Sequence, residues 1–378
     1  MARYPGWPKL LNHALAKSVG PQKQNWNRMT RRAEESTPIL VVPYMWIGDF
    51  VRCHSVVQVL KARWPRRPVD VLSAQLTAPL LDYMPDVRKG IVWDLPRKSL
   101  ALASHYQLAQ RLRDEEYGAA LVMPRTWKSA LAPFLAGILQ RTGYAGEARF
   151  VLLNDLRWGE RKIERMVDQC AALALPKSAP LPPAWPMPRL AVPAAEIPPW
   201  RSRRGLDGHL PVVALAPGSM AVSRRWPIEK YGALARELTS QGVAVWILGG
   251  PNEKDLASQI VAASEGRARD VTGNDLREAV LALAAADVAV CNDSGLLHVA
   301  AATGTHTIGI FGPTSAWHWA PLNPLAAVIQ ADTQLPCRPC HQPTCRVDHH
   351  LCVRDIAVEQ VKRAVARILP RLNLRIAN

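Results

Sequence analysis

From Ile39 onward, short apolar runs alternate with longer stretches in which apolar positions recur at helical spacing. The runs ILVVP (39–43), VDVLS (69–73) and AALVM (119–123) predict buried strands, and segments 51–63, 100–115 and 127–139 predict helices. Alternation of this kind builds parallel sheets from βαβ units. It stops between Pro176 and Pro199, where nine prolines exclude helix interiors and central strands and predict a semi-rigid connector. It resumes at VVALAP (212–217) and runs through a helical stretch at 227–241, VAVWILGG (243–250), helices near 253–264 and 275–285, DVAVCN (287–292), a helix from 295 and HTIGIF (306–311). A cysteine-rich loop and a helix from about Ile356 to Leu369 end the pattern.

The expected fold class is therefore α/β, with two Rossmann-like, doubly wound parallel-sheet domains facing across a cleft. The expected boundaries are a basic extension at 1–37, a first domain at 38–175, a proline-rich connector at 176–210, a second domain at 211–335, a cysteine-rich loop at 336–354 and a C-terminal helix at 355–378 that crosses back to the first domain. A length of 378 residues suits two cores, and 48% hydrophobic with 21% charged residues is ordinary for a globular chain. No apolar run reaches the length of a membrane span and the N-terminus lacks the apolar core of a signal peptide, so a cytoplasmic protein is expected.

Charge changes the picture at the two ends. The net charge is +16, and segments 1–37 and 353–378 supply nine of those sixteen charges. Such ends attract phosphate-bearing surfaces. No zinc-finger, RNP-type or basic-zipper pattern accompanies them, which disfavours nucleic acid as the partner. In the first of the two segments, Trp7, Leu10, Leu11, Ala14, Leu15 and Val19 recur at helical spacing, which fits an interfacial helix or one packed on the body.

Candidate chemistry lies where strands hand over to helices. In MWIGDF (45–50), Asp49 either caps a helix or acts as a base, because open α/β sheets bind ligands outside the carboxyl ends of their strands. In CNDSGLLHVAAATG (291–304), Asp293, Ser294 and Gly295 form a turn opening a helix, whose free N–H groups suit a diphosphate; Leu296 and His298 follow within its first turn. The same residues can instead be simple caps. LAPGSMAVSRRWPIEKY (215–231) adds a glycine turn at Gly218 and Ser219 and two arginines, Arg224 and Arg225; LGGPNEKD (248–255) adds Glu253, placed to hold ribose hydroxyls. Together these point to a nucleotide diphosphate. The chain has no G-x-G-x-x-G after a strand and no G-x-x-x-x-G-K-[ST], which disfavours dinucleotide oxidoreductases and P-loop NTPases. It also has no Asp-x-Asp pair for a divalent metal, so the protein itself must meet the leaving-group charge.

MWIGDF, RTWKSALAPFLAGILQRTGYAGEARFVLLNDLR (125–157), SRRWP, NDSGLLHVAAATGT and FGPTS (311–315) resemble the ADP-heptose:lipopolysaccharide heptosyltransferases, most closely the heptosyltransferase II type, over about Ile39 to Leu369. The resemblance implies the GT-B fold, with the acceptor on the first domain and the donor on the second. It also implies inverting transfer of L-glycero-D-manno-heptose from ADP-heptose to the lipid-A/core oligosaccharide, on the cytoplasmic face of the inner membrane, with no cofactor. By motif, Asp49 matches the base, Arg224 stands in place of a phosphate-binding lysine, Glu253 matches the ribose contact, and Asp293, Ser294, Gly295, Leu296 and His298 match the ADP-binding turn. The long basic extension departs from the family.

Arg125, Lys128, Arg149, Asn154 and Arg157 lie in the resembling stretch of the first domain and are candidate contacts for the acceptor's phosphates or acidic sugars. Four of the seven cysteines, Cys337, Cys340, Cys345 and Cys352, fall in CRPCHQPTCRVDHHLC, a spacing that fits a structural zinc, or iron, or else free thiols in a compact loop. Cys53, Cys170 and Cys291 read as core residues. Two other functions remain open for the same chain: a sugar-nucleotide epimerase of this fold, and a non-catalytic scaffold at the anionic inner-membrane surface.

Overall fold

The computed structural model describes residues 37–94, 100–177 and 179–369, arranged as two compact units that part between Pro188 and Arg189. That boundary lies inside the expected connector. In the first unit, β1 (Ile39–Val42), β2 (Val69–Ser73), β3 (Lys89–Val92), β4 (Ala119–Val122), β5 (Gln140–Tyr144) and β6 (Asp155–Arg157) form one parallel sheet in the order β3-β2-β1-β4-β5-β6. In the second, β7 (Val212–Ala216), β8 (Ala244–Ile247), β9 (Arg269–Asp270), β10 (Val288–Asn292), β11 (His306–Ile310) and β12 (Ala326–Ile329) form another, ordered β12-β11-β10-β7-β8-β9. Counted from its own first strand, each sheet has the doubly wound order 3-2-1-4-5-6. Each therefore has a switch point, between β1 and β4 and between β7 and β10, where strand ends diverge and leave room for a ligand.

The central strands are continuous apolar runs because both faces are covered. Leu40, Val42, Ala120 and Val122 join the first core, and Val213, Leu215, Val288 and Val290 the second, all at 2% exposure or less. Two expectations change. Segment 51–63 is not one helix but part of two, Ile47–Arg52 and His54–Arg63, which meet at Cys53. The connector also ends in structure: a 3₁₀ turn at Ala194–Glu196 leads into the helix Ile197–Arg203, whose two prolines sit in its first turn, where a missing N–H does no harm. Trp200 on that helix is fully buried, donates Nε1–H to Glu278 Oε2 at 2.8 Å and meets Trp246 edge-on at 5.6 Å, so this part of the connector belongs to the second unit.

The final helix, Val358–Ile368, also packs on the second sheet among the described residues. Val361 and Val365 are fully buried beside Ile308 and Ile310, and Trp226 Nε1–H bonds the Ile356 carbonyl at 3.0 Å. The extension 1–36, with its amphipathic stretch, and residues 370–378 lie outside the described residues.

Candidate functional site

In the first unit, β1 ends at Val42 on the switch point, and a short turn through Trp46 leads into Ile47–Arg52. Trp46 is the N-cap and its own side chain makes no capping hydrogen bond; Asp49 is third in the helix, in its first turn. The carboxylate pairs with Arg52 Nη1 one turn further on, and Arg52 Nη1 also lies 3.8 Å from Met166 Sδ. Asp49 keeps 18% of its side chain exposed against 8% for Arg52. Burial, more than any charge, pushes the Tyr44 hydroxyl well above its usual value and the Cys170 thiol up to about 12, with Asp49 adding to both shifts. Both neighbours are therefore neutral at physiological pH. With Glu160 and Asp168 in the same neighbourhood, Asp49 is thus a partly accessible carboxylate pinned by an arginine. That is what a positioned base requires.

The second unit brings its candidates together from three strand ends. After β10, Ser294 is the N-cap of Gly295–Thr303, in extended conformation (φ −151°, ψ 177°) and with no side-chain cap. The N–H groups of that first turn, at the positive end of the helix, are left for an anion. Asp293 does not cap them. Its Oδ2 accepts from Thr314 Oγ1 at 2.7 Å and lies 3.2 Å from Arg224 Nη1, while Arg224 Nε is buried without a hydrogen-bond partner. Asn292, fully buried, ties the neighbouring strand ends together: its Oδ1 accepts from Trp226 N–H and Tyr231 O–H, each at 3.1 Å, and its Nδ2 donates to the Pro217 carbonyl at 2.6 Å.

Glu253 lies against the turn after β7. Its Oε2 accepts from Gly250 N–H at 2.8 Å, and a Cβ placed on Gly218 would stand 2.6 Å from Glu253 Cγ. Only glycine admits that approach. Ser219 Oγ donates to the Asp293 carbonyl at 3.2 Å, and Arg225 Nε to the Ser219 carbonyl at 2.9 Å. Leu296 is half-buried and His298 buried in the first turn of Gly295–Thr303. All the expected donor-site residues thus gather at the carboxyl ends of β7, β8 and β10. The arrangement offers an open helix start, an arginine with one donor unsatisfied and a carboxylate two strands away.

Among known proteins, residues 105–351 match the model of glycosyltransferase family 9 (heptosyltransferase). The chain belongs to glycosyltransferase family 9. It is 35% identical over 306 residues to lipooligosaccharide heptosyltransferase 2 of Haemophilus influenzae, covering 77% of this chain and 88% of that protein. It is 34% identical over 309 residues to lipopolysaccharide heptosyltransferase 2 of Escherichia coli K12, covering 78% and 88%. The solved structure of E. coli ADP-heptose LPS heptosyltransferase II matches with a TM-score of 0.78 at 31% identity, over 89% of this chain and 99% of that one. The fold class is thus the GT-B type of the heptosyltransferases. The family match begins at residue 105 and does not reach Asp49, whose place at the β1 switch point rests on the structure.

This family 9 chain uses its predicted acceptor residues unequally. Arg149 is 1% exposed: Nε and Nη2 donate to the Tyr144 carbonyl, and Nη1 to the carbonyls of Pro124 and Thr126 and to Ser129 Oγ. Its guanidinium braces the fold. Asn154 Nδ2 donates to the Leu139 carbonyl at 2.6 Å and its Oδ1 accepts from Arg141 N–H at 2.8 Å, which joins two loops. Arg157 pairs with Asp155 at 2.7 Å and reaches the Leu175 carbonyl. Arg125 is 49% exposed and 2.9 Å from Glu160, and Lys128 is half-buried.

The cysteine loop differs from the metal expectation as well. Among the described residues no three His, Cys, Asp or Glu side chains converge as metal ligands; Cys337 Sγ lies 3.9 Å from His349 Nε2, and all four thiols are free. Cys352 is buried, whereas the other three are half-exposed. Residues of this set that motif reasoning did not single out are Asn292 and Thr314. Both lie inside stretches that carry the family resemblance, NDSG and FGPTS, but their role depends on partners from other strands. Cys53, Cys170 and Cys291 are core residues, as expected.

Proposed function

We propose that this family 9 glycosyltransferase moves L-glycero-D-manno-heptose from ADP-heptose onto the inner core of lipopolysaccharide, as the heptosyltransferase II relatives do, with inversion at the anomeric carbon. The observation that carries the reading is the uncapped helix start at Ser294 beside the Arg224–Asp293 pair, at the switch point of the second sheet. It supplies positive charge for a departing nucleoside diphosphate from the protein itself. Gly218, Ser219, Arg224, Glu253, Ser294, Gly295, Leu296 and His298 form the donor subsite. Asp49 takes the acceptor hydroxyl's proton as its oxygen attacks C1 and the C1–O bond to ADP breaks. Arg125 and Lys128 meet anionic groups of the acceptor; Arg149, Asn154 and Arg157 serve the scaffold. The four-cysteine loop takes no part in the transfer as proposed.

ADP release measured with ADP-heptose, with and without a core acceptor, tests this. Acceptor-dependent ADP is expected. Donor consumed without an acceptor would favour an epimerase, and absence of any turnover a non-catalytic scaffold.

The site of action proposed is the cytoplasmic face of the inner membrane, where the acceptor is held. No helix among the described residues is long and apolar enough to cross a membrane. The net charge of +16 and an exposed aromatic pair, Phe150 and Trp158, stacked at 6.4 Å, support peripheral contact with an anionic surface. Co-sedimentation with anionic but not neutral vesicles, weakened by salt, is the expected result; equal partition to both removes the proposal.

A further inference from the structure

We propose that Asp293 is a positioning residue rather than a donor contact, and that Thr314 orients it, so that the pair holds the Arg224 guanidinium beside the helix start at Ser294 for a nucleoside diphosphate. The inference rests on reading this site as the donor site. Asp293 is 3% exposed and Thr314 1%, so neither side chain has free surface to offer a ligand. One carboxylate oxygen, Oδ2, receives both the Thr314 hydroxyl at 2.7 Å and Arg224 Nη1 at 3.2 Å. A carboxylate turned toward a diphosphate would repel it; paired with Arg224 and bonded by Thr314, its charge is met before any ligand arrives.

The backbone fixes the same pair from both sides. Asp293 N–H donates to the Ile310 carbonyl at 3.1 Å, and its own carbonyl accepts from Ser219 Oγ. Next to Arg224, Ser223 is 2% exposed, with N–H donating to the Pro343 carbonyl at 3.2 Å and Oγ to the Gln342 carbonyl at 2.5 Å. The guanidinium therefore hangs from an anchored turn and leans on an anchored carboxylate. Nε is left buried and unpartnered, a cost that an anion bound alongside would remove. A guanidinium can serve Asp293 and a phosphate at once through its fork of donors, which gives arginine at 224 a purpose that a single ammonium meets less well.

Calorimetric ADP binding to the full chain tests the arrangement with Thr314→Val, Thr314→Ser, Arg224→Ala and the Thr314→Val/Arg224→Ala double variant. Thr314→Val is expected to weaken ADP binding about fivefold, Thr314→Ser to restore it to within about twofold, and Thr314→Val to add no further loss once Arg224 is gone. In turnover the loss should fall on the donor's KM with kcat little changed. The proposal is overturned if Thr314→Val leaves ADP affinity as in the wild type, or if its effect recurs undiminished without Arg224. Wild-type ADP binding without acceptor-dependent turnover would sink the heptosyltransferase reading while leaving the positioning pair standing.

Discussion

Arg149 and Arg224 both sit near the carboxyl ends of parallel strands, in two units with one strand order, yet they do opposite work. Arg149 is enclosed by carbonyls of Tyr144, Pro124 and Thr126, and burial drags its guanidinium down to about 10. Arg224 has 30% of its side chain exposed, one ionic partner and one buried donor unsatisfied. The first is mortar for the loop between β5 and β6; the second is the cation we propose for the donor's diphosphate. Topology makes a strand end available, but the local hydrogen-bond balance decides whether a residue there belongs to the fold or to a ligand.

The contrast can be broken by exchanging the roles. Arg224→Ala removes a charged donor from the anion site and should weaken ADP binding by about 10- to 100-fold with little change in thermal stability. Arg149→Met leaves the carbonyls it serves without donors and should cost about 3 kcal/mol of stability, read by denaturant unfolding, while donor affinity at permissive temperature stays as in the wild type. If Arg149→Met instead raised the KM for the acceptor with stability intact, Arg149 would belong with the ligand contacts.

The fold was legible where strands are central. VDVLS is β2 residue for residue, and the runs at 39, 119, 212, 287 and 306 lie within a residue or so of β1, β4, β7, β10 and β11. Burial on both faces forces an apolar run there. The edge strands did not announce themselves: in β3, β6, β9 and β12 exposed or half-exposed residues such as Lys89, Asp155 and Arg269 break the pattern. β5 begins with the polar Gln140 and Arg141 and hid for the same reason.

The gathering of the donor-site candidates at strand-to-helix turns was legible too, although glycine, serine and aspartate in such turns also read as caps. Its internal economy was not. That Asp293 leans on Thr314 and Arg224 depends on contacts between residues more than twenty positions apart in the chain. Arg149 was illegible for a related reason: charge in a sequence does not show whether carbonyls of the fold already surround it. In the cysteine loop the spacing fitted metal ligation, but among the described residues no three His, Cys, Asp or Glu side chains converge as ligands there, and which side chains converge is not written in spacing alone.

The division of labour between the units is tested most directly by Asp49→Asn, with ADP affinity and the rate of heptosyl transfer from ADP-heptose to a core acceptor measured on the same preparation. Transfer should fall about 1,000-fold, the scale of a lost general base, while ADP binds as in the wild type. Wild-type transfer by Asp49→Asn, or loss of ADP binding with it, would contradict the account.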